Sequence, residues 1–286
     1  MKKDRASRSI HGRILAAFAC LLLLQGVSAC AQPSALPPKE TDALALLLNA
    51  TSRLSNKDSS GTCFLVAPPP GWGWPNRTVV LVTAAHAFEQ ATGPESLVVL
   101  REQHADGSLA RREVTLPIRS GEQSLWTKHP DEDVAAIKLT LPPDVSSQPI
   151  RLDQIAPVED LTNGCVRLGS GVWIFCHPAK LEANDAGLPV LRHGTVSSLP
   201  LLPLSSHTTF LVDFTTFGGD SGAPVMLGER GGPPSSVRVI GLVLGMHRQT
   251  DKVSLPFEER TVHYPLGLSI IAHAGIIRET IGRMPH

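Results

Sequence analysis

The chain has 286 residues, 42% of them hydrophobic and 18% charged, enough apolar material for one large domain or two small ones. Lys plus Arg and Asp plus Glu number 26 each, so no basic field exists to attract nucleic acid or anionic lipid, and a nucleic-acid role has no support. Gly and Pro stand at 24 each, and short runs of Val, Thr and Leu between them favour many strands joined by tight turns over long helices.

In chain order, residues 1–29 read as a signal peptide: Lys2, Lys3, Arg5, Arg8 and Arg13 precede an apolar run over 14–24 that is short for a membrane span. Val27-Ser28-Ala29-Cys30 has the pattern of a bacterial lipobox, which predicts cleavage before Cys30, acylation of its thiol and an exported protein held at the cell envelope. Ordinary cleavage after Ala31 to give a secreted soluble protein is the alternative. Residues 30–58 then form a Pro-rich tether and a short apolar helix over 42–49.

From Gly61 the pattern turns to short β-rich runs, over 62–66, 78–83, 97–100, 113–118 and 133–139, which define a first half at 59–150. A Pro-rich connection over 141–157 is followed by a second half at 151–286. Its runs lie at 165–176, 189–197, 208–214, 223–227, 237–245 and 265–270, and helical spacing over 270–281 closes the chain. An all-β protein of two packed six-stranded antiparallel β-barrels with a short C-terminal helix fits this count. Of the three cysteines in the folded part, Cys165 and Cys176 could bridge across a strand-like segment, leaving Cys63 as a buried free thiol. Their spacing suits no metal, and no cofactor is expected.

Three local settings carry the chemistry: Thr83-Ala84-Ala85-His86, Asp133 leading into Val134-Ala135-Ala136-Ile137, and Gly218-Gly219-Asp220-Ser221-Gly222-Ala223-Pro224. A serine hydroxyl is a weak nucleophile at neutral pH and needs an imidazole to take its proton and a carboxylate to hold that imidazole in one tautomer. The glycines matter equally, because the attacking oxygen must sit on a tight turn whose N–H groups also meet the developing oxyanion; Gly219 and Ser221 are the candidate donors. Asp133 is preferred over Asp131 because it alone runs directly into an apolar strand. His177, His193 and His247 fall at strand ends and read as polar strand-end residues. The order His, Asp, Ser, with Ala223 where an α/β-hydrolase elbow needs glycine, argues against an esterase of that class.

On these motifs the chain resembles the chymotrypsin-like (trypsin-fold) serine peptidases, particularly their bacterial members, from about Gly61 to Ile281. The separations, 47 residues from His86 to Asp133 and 88 from Asp133 to Ser221, agree with the resemblance. It implies a serine endopeptidase acting on protein or peptide substrates, with His86 and Asp133 from the first barrel and Ser221 from the second. It also implies a primary specificity pocket at Thr215, with Thr216 beside it, neutral and suited to small or medium apolar side chains. A monomer is expected. Two departures stand out: Ala87 replaces the cysteine that would pair with the Cys63 position, and no Ile-Val-Gly-Gly activation site precedes the first barrel. An inactive homologue serving as an extracytoplasmic binding module is the rival reading, although no triad residue is lost.

Overall fold

The computed structural model describes residues 42–57, 59–228 and 236–286; the expected signal peptide, Cys30 and most of the expected tether lie outside the described residues. Helix α1 spans Ala43–Ala50, capped by Asp42, whose carboxylate accepts the Leu44 N–H at 3.0 Å. Its other end is closed from outside. The buried Arg101 guanidinium donates to the carbonyls of Leu48 (3.2 Å) and Asn49 (2.9 Å), and the Thr51 hydroxyl donates to Leu47 (2.7 Å). The Thr51 N–H is shared between the Leu47 and Leu48 carbonyls, and the buried cation adds further donors where the helix dipole is negative. Burial pulls the Arg101 pKa down to about 10.

The first half is an antiparallel sheet of seven strands, in the order β5-β4-β1-β2-β3-β9-β8. Its strands are β1 (Thr51–Ser55), β2 (Ser60–Val66), β3 (Thr78–Ala84), β4 (Glu95–Gln103), β5 (Leu109–Pro117), β8 (Thr127–Lys128) and β9 (Val134–Thr140). A small pair, β6 (Arg119–Ser120) with β7 (Gln123–Ser124), stands beside it. A six-stranded barrel was expected here; instead β1, too polar to show as a strand in Thr51-Ser52-Arg53-Leu54-Ser55, inserts between β4 and β2. The unbroken apolar run of β3 is explained by burial on both faces. Val80 and Val82 enter one core and Val79 and Leu81 the other.

The second half is a closed six-stranded barrel, β10-β11-β12-β15-β14-β13. It comprises β10 (Gly171–Cys176), β11 (Val190–Val196), β12 (Thr209–Asp213), β13 (Pro224–Leu227), β14 (Val239–Leu255) and β15 (Glu258–His273). Helix α2 (His86–Glu89) follows β3, α3 (Glu159–Thr162) lies in the connection, and α4 (Ala274–Gly282) ends the fold. The connection is stitched to both halves by parallel bridges, Val66 with Ile150 and Ile155 with Val239. Alternate residues of β2 and β3, the apolar faces of α1 and α4, and the inner residues of the barrel share one core, which leaves the ends of the strands to build the site.

The bridge expected between Cys165 and Cys176 is not formed: both are free thiols, Cys165 exposed and Cys176 buried at the inner end of β10. Cys63 is buried and free as expected, and burial drives its thiol pKa up.

Candidate active site

The β3–β9 register brings the histidine and the aspartate together. Ala84 pairs with Val134, so His86 lies two residues beyond the end of one strand and Asp133 one residue before the start of its neighbour. Asp133 then grips His86 twice: Oδ1 accepts the His86 backbone N–H at 2.8 Å and Oδ2 accepts the Nδ1 proton at 2.5 Å. With its proton committed at Nδ1, the imidazole keeps the Nε2 lone pair free to accept another. Both side chains are about one-third exposed, Asp133 more than a place beneath an imidazole would suggest.

The turn that presents Asp133 has its own brace. The buried His129 ring accepts the N–H groups of Asp131 and Glu132 at Nδ1 (3.2 and 3.1 Å), which places its proton on Nε2, 3.3 Å from Glu279 of α4. In the sequence this histidine opens the run His129-Pro130-Asp131-Glu132-Asp133-Val134-Ala135, which resembles the aspartate motif of the serine peptidases; its bracing contacts appear only in the fold.

Ser221 arrives on the turn before β13, which packs against the same corner of the sheet. Its carbonyl accepts the Thr62 N–H at 2.8 Å, and the Thr62 hydroxyl donates to the Gly219 carbonyl at 2.8 Å. A Cβ on Gly222 would stand 2.0 Å from the Thr62 carbonyl and 3.1 Å from Ala84 N, at the end of β3 itself, so only glycine allows this approach. Gly219 has φ +102, and a Cβ there would lie 2.3 Å from the His177 carbonyl. Among the described residues the N–H groups of Gly219 and Ser221 donate to no protein acceptor. The Ser221 hydroxyl donates to the Leu244 carbonyl at 3.1 Å, not to His86.

Asp220, fully buried between these donors, carries the electrostatics. One carboxylate oxygen accepts from Arg192 of β11 (3.1 Å) and from the Phe217 N–H (2.9 Å). Burial raises the Asp220 pKa against these stabilising contacts. Burial, followed by the nearby Asp220 charge, also pushes up the Cys176 thiol. Arg192 donates in addition to the Thr215 carbonyl (2.7 Å), and its guanidinium lies over the Phe214 ring. The expected pocket pair is thereby divided: Thr215 is partly exposed, whereas Thr216 is buried with its hydroxyl against Ser269. Arg192 was legible in principle, since Val190, Arg192, Gly194 and Val196 form the inward face of β11 at a spacing of two.

The loop between β10 and β11 supports the Ser221 turn from its other side. Ala179 N–H donates to the Gly218 carbonyl at 2.7 Å, and Ala179 and Lys180 both hold positive φ, at 50 and 68. Glu182 anchors the loop on the first half, through Arg53 of β1 (2.7 Å) and Arg111 of β5 (2.5 Å). His177, where the loop begins, is buried, and burial pulls its pKa down to about 4. Among the described residues no group of three or more His, Cys, Asp or Glu could hold a metal ion.

No protein family model matches the sequence, and no curated protein matches it. Solved structures do. An inactive form of Rv3671c from M. tuberculosis H37Rv is 15% identical, over 89% of this chain and 98% of that one, with a TM-score of 0.46. The protease Anisep from Arthrobacter nicotinovorans is 14% identical, over 82% and 94%, with a TM-score of 0.46. A human astrovirus serine protease is 15% identical, over 79% and 89%, with a TM-score of 0.36.

Proposed function

We propose that the protein is a serine endopeptidase that cleaves peptide bonds through an acyl-enzyme. The observation that carries this reading is the two-pronged grip of Asp133 on His86, which leaves the Nε2 lone pair free, together with the packing of Gly222, next to Ser221, against Ala84, two residues before His86. In this reading Ser221 rotates off the Leu244 carbonyl and attacks the scissile carbonyl while His86 Nε2 takes its proton. The oxygen of the tetrahedral adduct accepts from the Gly219 and Ser221 N–H groups, and His86 returns the proton to the leaving amine. Water then repeats the sequence on the acyl-enzyme, with Asp133 holding the imidazolium in place throughout.

A fluorophosphonate probe tests this directly, because it phosphonylates an activated serine whatever the substrate preference. The wild-type chain is expected to label and Ser221→Ala to lose labelling while keeping its circular dichroism spectrum. A folded wild-type chain that never labels would favour the binding-module reading, to which the Ser221–Leu244 hydrogen bond would then belong.

We also propose that the enzyme is exported and anchored through lipid on Cys30. Among the described residues no helix is long and apolar enough to cross a membrane. Multiple acyl chains on one cysteine would anchor stably where a single chain would not. Cys30→Ser is expected to move the protein to the soluble fraction after cell lysis; retention of that variant in the membrane would overturn the proposal.

A further inference from the structure

The last two strands of the barrel run far past it. β14 has 17 residues and β15 has 16, yet β13 covers β14 only from Val239 to Leu242 and β12 covers β15 only from Leu268 to Ala272. Beyond these points the two strands pair only with each other, as a ribbon that is regular from Arg248–Pro265 to Leu255–Glu258. An isolated two-stranded ribbon is marginally stable in water, and an open edge invites a further strand. No proline interrupts β14 from Arg248 to Ser254, where the pairing is regular once the register shift between Met246 and Arg248 is passed, and Lys252 is the one lysine there. Exposed Val253 and Tyr264 stand on the ribbon, and Phe257 at its tip is 107% exposed.

The edge begins at the nucleophile. The chain from Pro224 back to Ser221 lies antiparallel along β14: Pro224 pairs with Leu242, and Gly222 and Ala223 exchange hydrogen bonds with Val243. Ser221 Oγ reaches the carbonyl of Leu244, which the β14–β15 register leaves out of the ladder. There the serine turn departs and the edge is bare. An added strand that continued this antiparallel course would have its C-terminal end at Ser221 and its N-terminal end toward the tip. That is the polarity required of the acyl side of a peptide substrate, since the carbonyl under attack ends the acyl segment.

We propose that the β14 edge from Arg248 to Ser254 is an extended substrate-binding edge. It takes the main chain of an unfolded polypeptide roughly four to ten residues N-terminal to the scissile bond, at about 3.4 Å per residue. The proposal rests on the serine-endopeptidase reading. On the ribbon Arg248, Lys252 and Arg260 are matched in number by Asp251, Glu258 and Glu259, so neither sign of charge dominates. Recognition is therefore by main-chain pairing and exposed apolar side chains, not by substrate charge.

The test uses the full chain and quenched-fluorescence peptides with acyl sides of increasing length. kcat/KM is expected to rise about tenfold as the acyl side grows from about four residues to about eight, the return of a few net main-chain hydrogen bonds. Lengthening the leaving side is expected to change nothing. N-methylation of alternate amides in the distal acyl residues should abolish the gain without touching the protein. Replacing residues 249–264 by a two-residue turn between the paired Arg248 and Pro265 should abolish it too, with fluorophosphonate labelling and short-peptide hydrolysis unchanged. A rate indifferent to acyl length overturns the proposal, as does a gain that survives N-methylation or ribbon removal. So does a dimer in sedimentation that disappears with the ribbon, which would make a second copy its occupant. Absence of probe labelling in the wild-type chain would instead defeat the catalytic reading.

Discussion

Arg192 and Asp220 show what one ion pair must do when the aspartate precedes the candidate nucleophile. Asp220 has no exposed surface, and without Arg192 its charge would be left with only the Phe217 N–H on that oxygen. Removing one partner of a buried pair leaves an uncompensated charge, so Arg192→Met is expected to cost about 3–5 kcal/mol by urea denaturation. Labelling should slow as well, because the same carboxylate fixes the turn that carries the Gly219 and Ser221 N–H groups. Adding Asp220→Asn should restore most of the stability, since the orphaned charge is gone. An Arg192→Met variant as stable as the wild type would show the pair to be incidental. Arg192 also ties the Thr215 carbonyl to this network, so the expected pocket and the nucleophile turn share one support.

At the scale of elements, the apolar strands were readable and the polar ones were not. β2 and β3 announce themselves by apolar runs because both faces are buried, and the register of β3 with β9 brings His86 to Asp133. The short helix of 42–49 was visible in Ala43-Leu44-Ala45-Leu46-Leu47-Leu48 and lies at Ala43–Ala50. β1 was missed because a strand stabilised by two neighbours needs little apolar content of its own. The outer ribbon was missed for the opposite reason, since Arg248 to Glu259 reads as a charged loop when no face of it is buried. The candidate triad was legible because each residue sits in a short local setting. His129 is a local support, four residues before Asp133, but Thr62, Arg192 and the Glu182 clamp come from distant parts of the chain, and no local pattern predicts whom they meet. Arg101 belongs with them: a cation inside a sheet is unreadable until the carbonyls it closes are seen.

The whole molecule carries an acid sensitivity set by two buried histidines. Burial pulls His177 and His273 down to about 4, against about 6.5 in an unfolded chain. Between those values the unfolded state binds protons that the folded state refuses, so stability is complete above about pH 6.5 and falls as the pH drops. Each histidine is worth up to about 3 kcal/mol across that window. Asp220 works in the other direction, because its raised pKa favours proton uptake by the folded state nearer the carboxylate range. The urea midpoint is therefore expected to decline from pH 7 to pH 5. His273→Asn should roughly halve the decline, because an asparagine can still accept the Gly275 N–H that the His273 ring accepts at 3.0 Å. A midpoint flat over that range would refute the assignment.

The shared core has a consequence in time. Ala43 and Leu47 of the first described helix lie in the same apolar cluster as Ile276, Ile277 and Ile281 of the last. A chain made from its N-terminus onward therefore cannot seal its first half by itself, because the residues that complete that core follow every strand of both halves. Contacts this distant in sequence make folding slow, and the incomplete chain must survive with apolar surface uncovered. The same closure delays the site. His86 and Asp133 can meet early through β3 and β9, but Ser221 can be set beside them only once β14 and β15 have closed the barrel around its turn. The meeting of Ser221 with His86 and Asp133 on which the proposed activity depends therefore waits until β15 has been made.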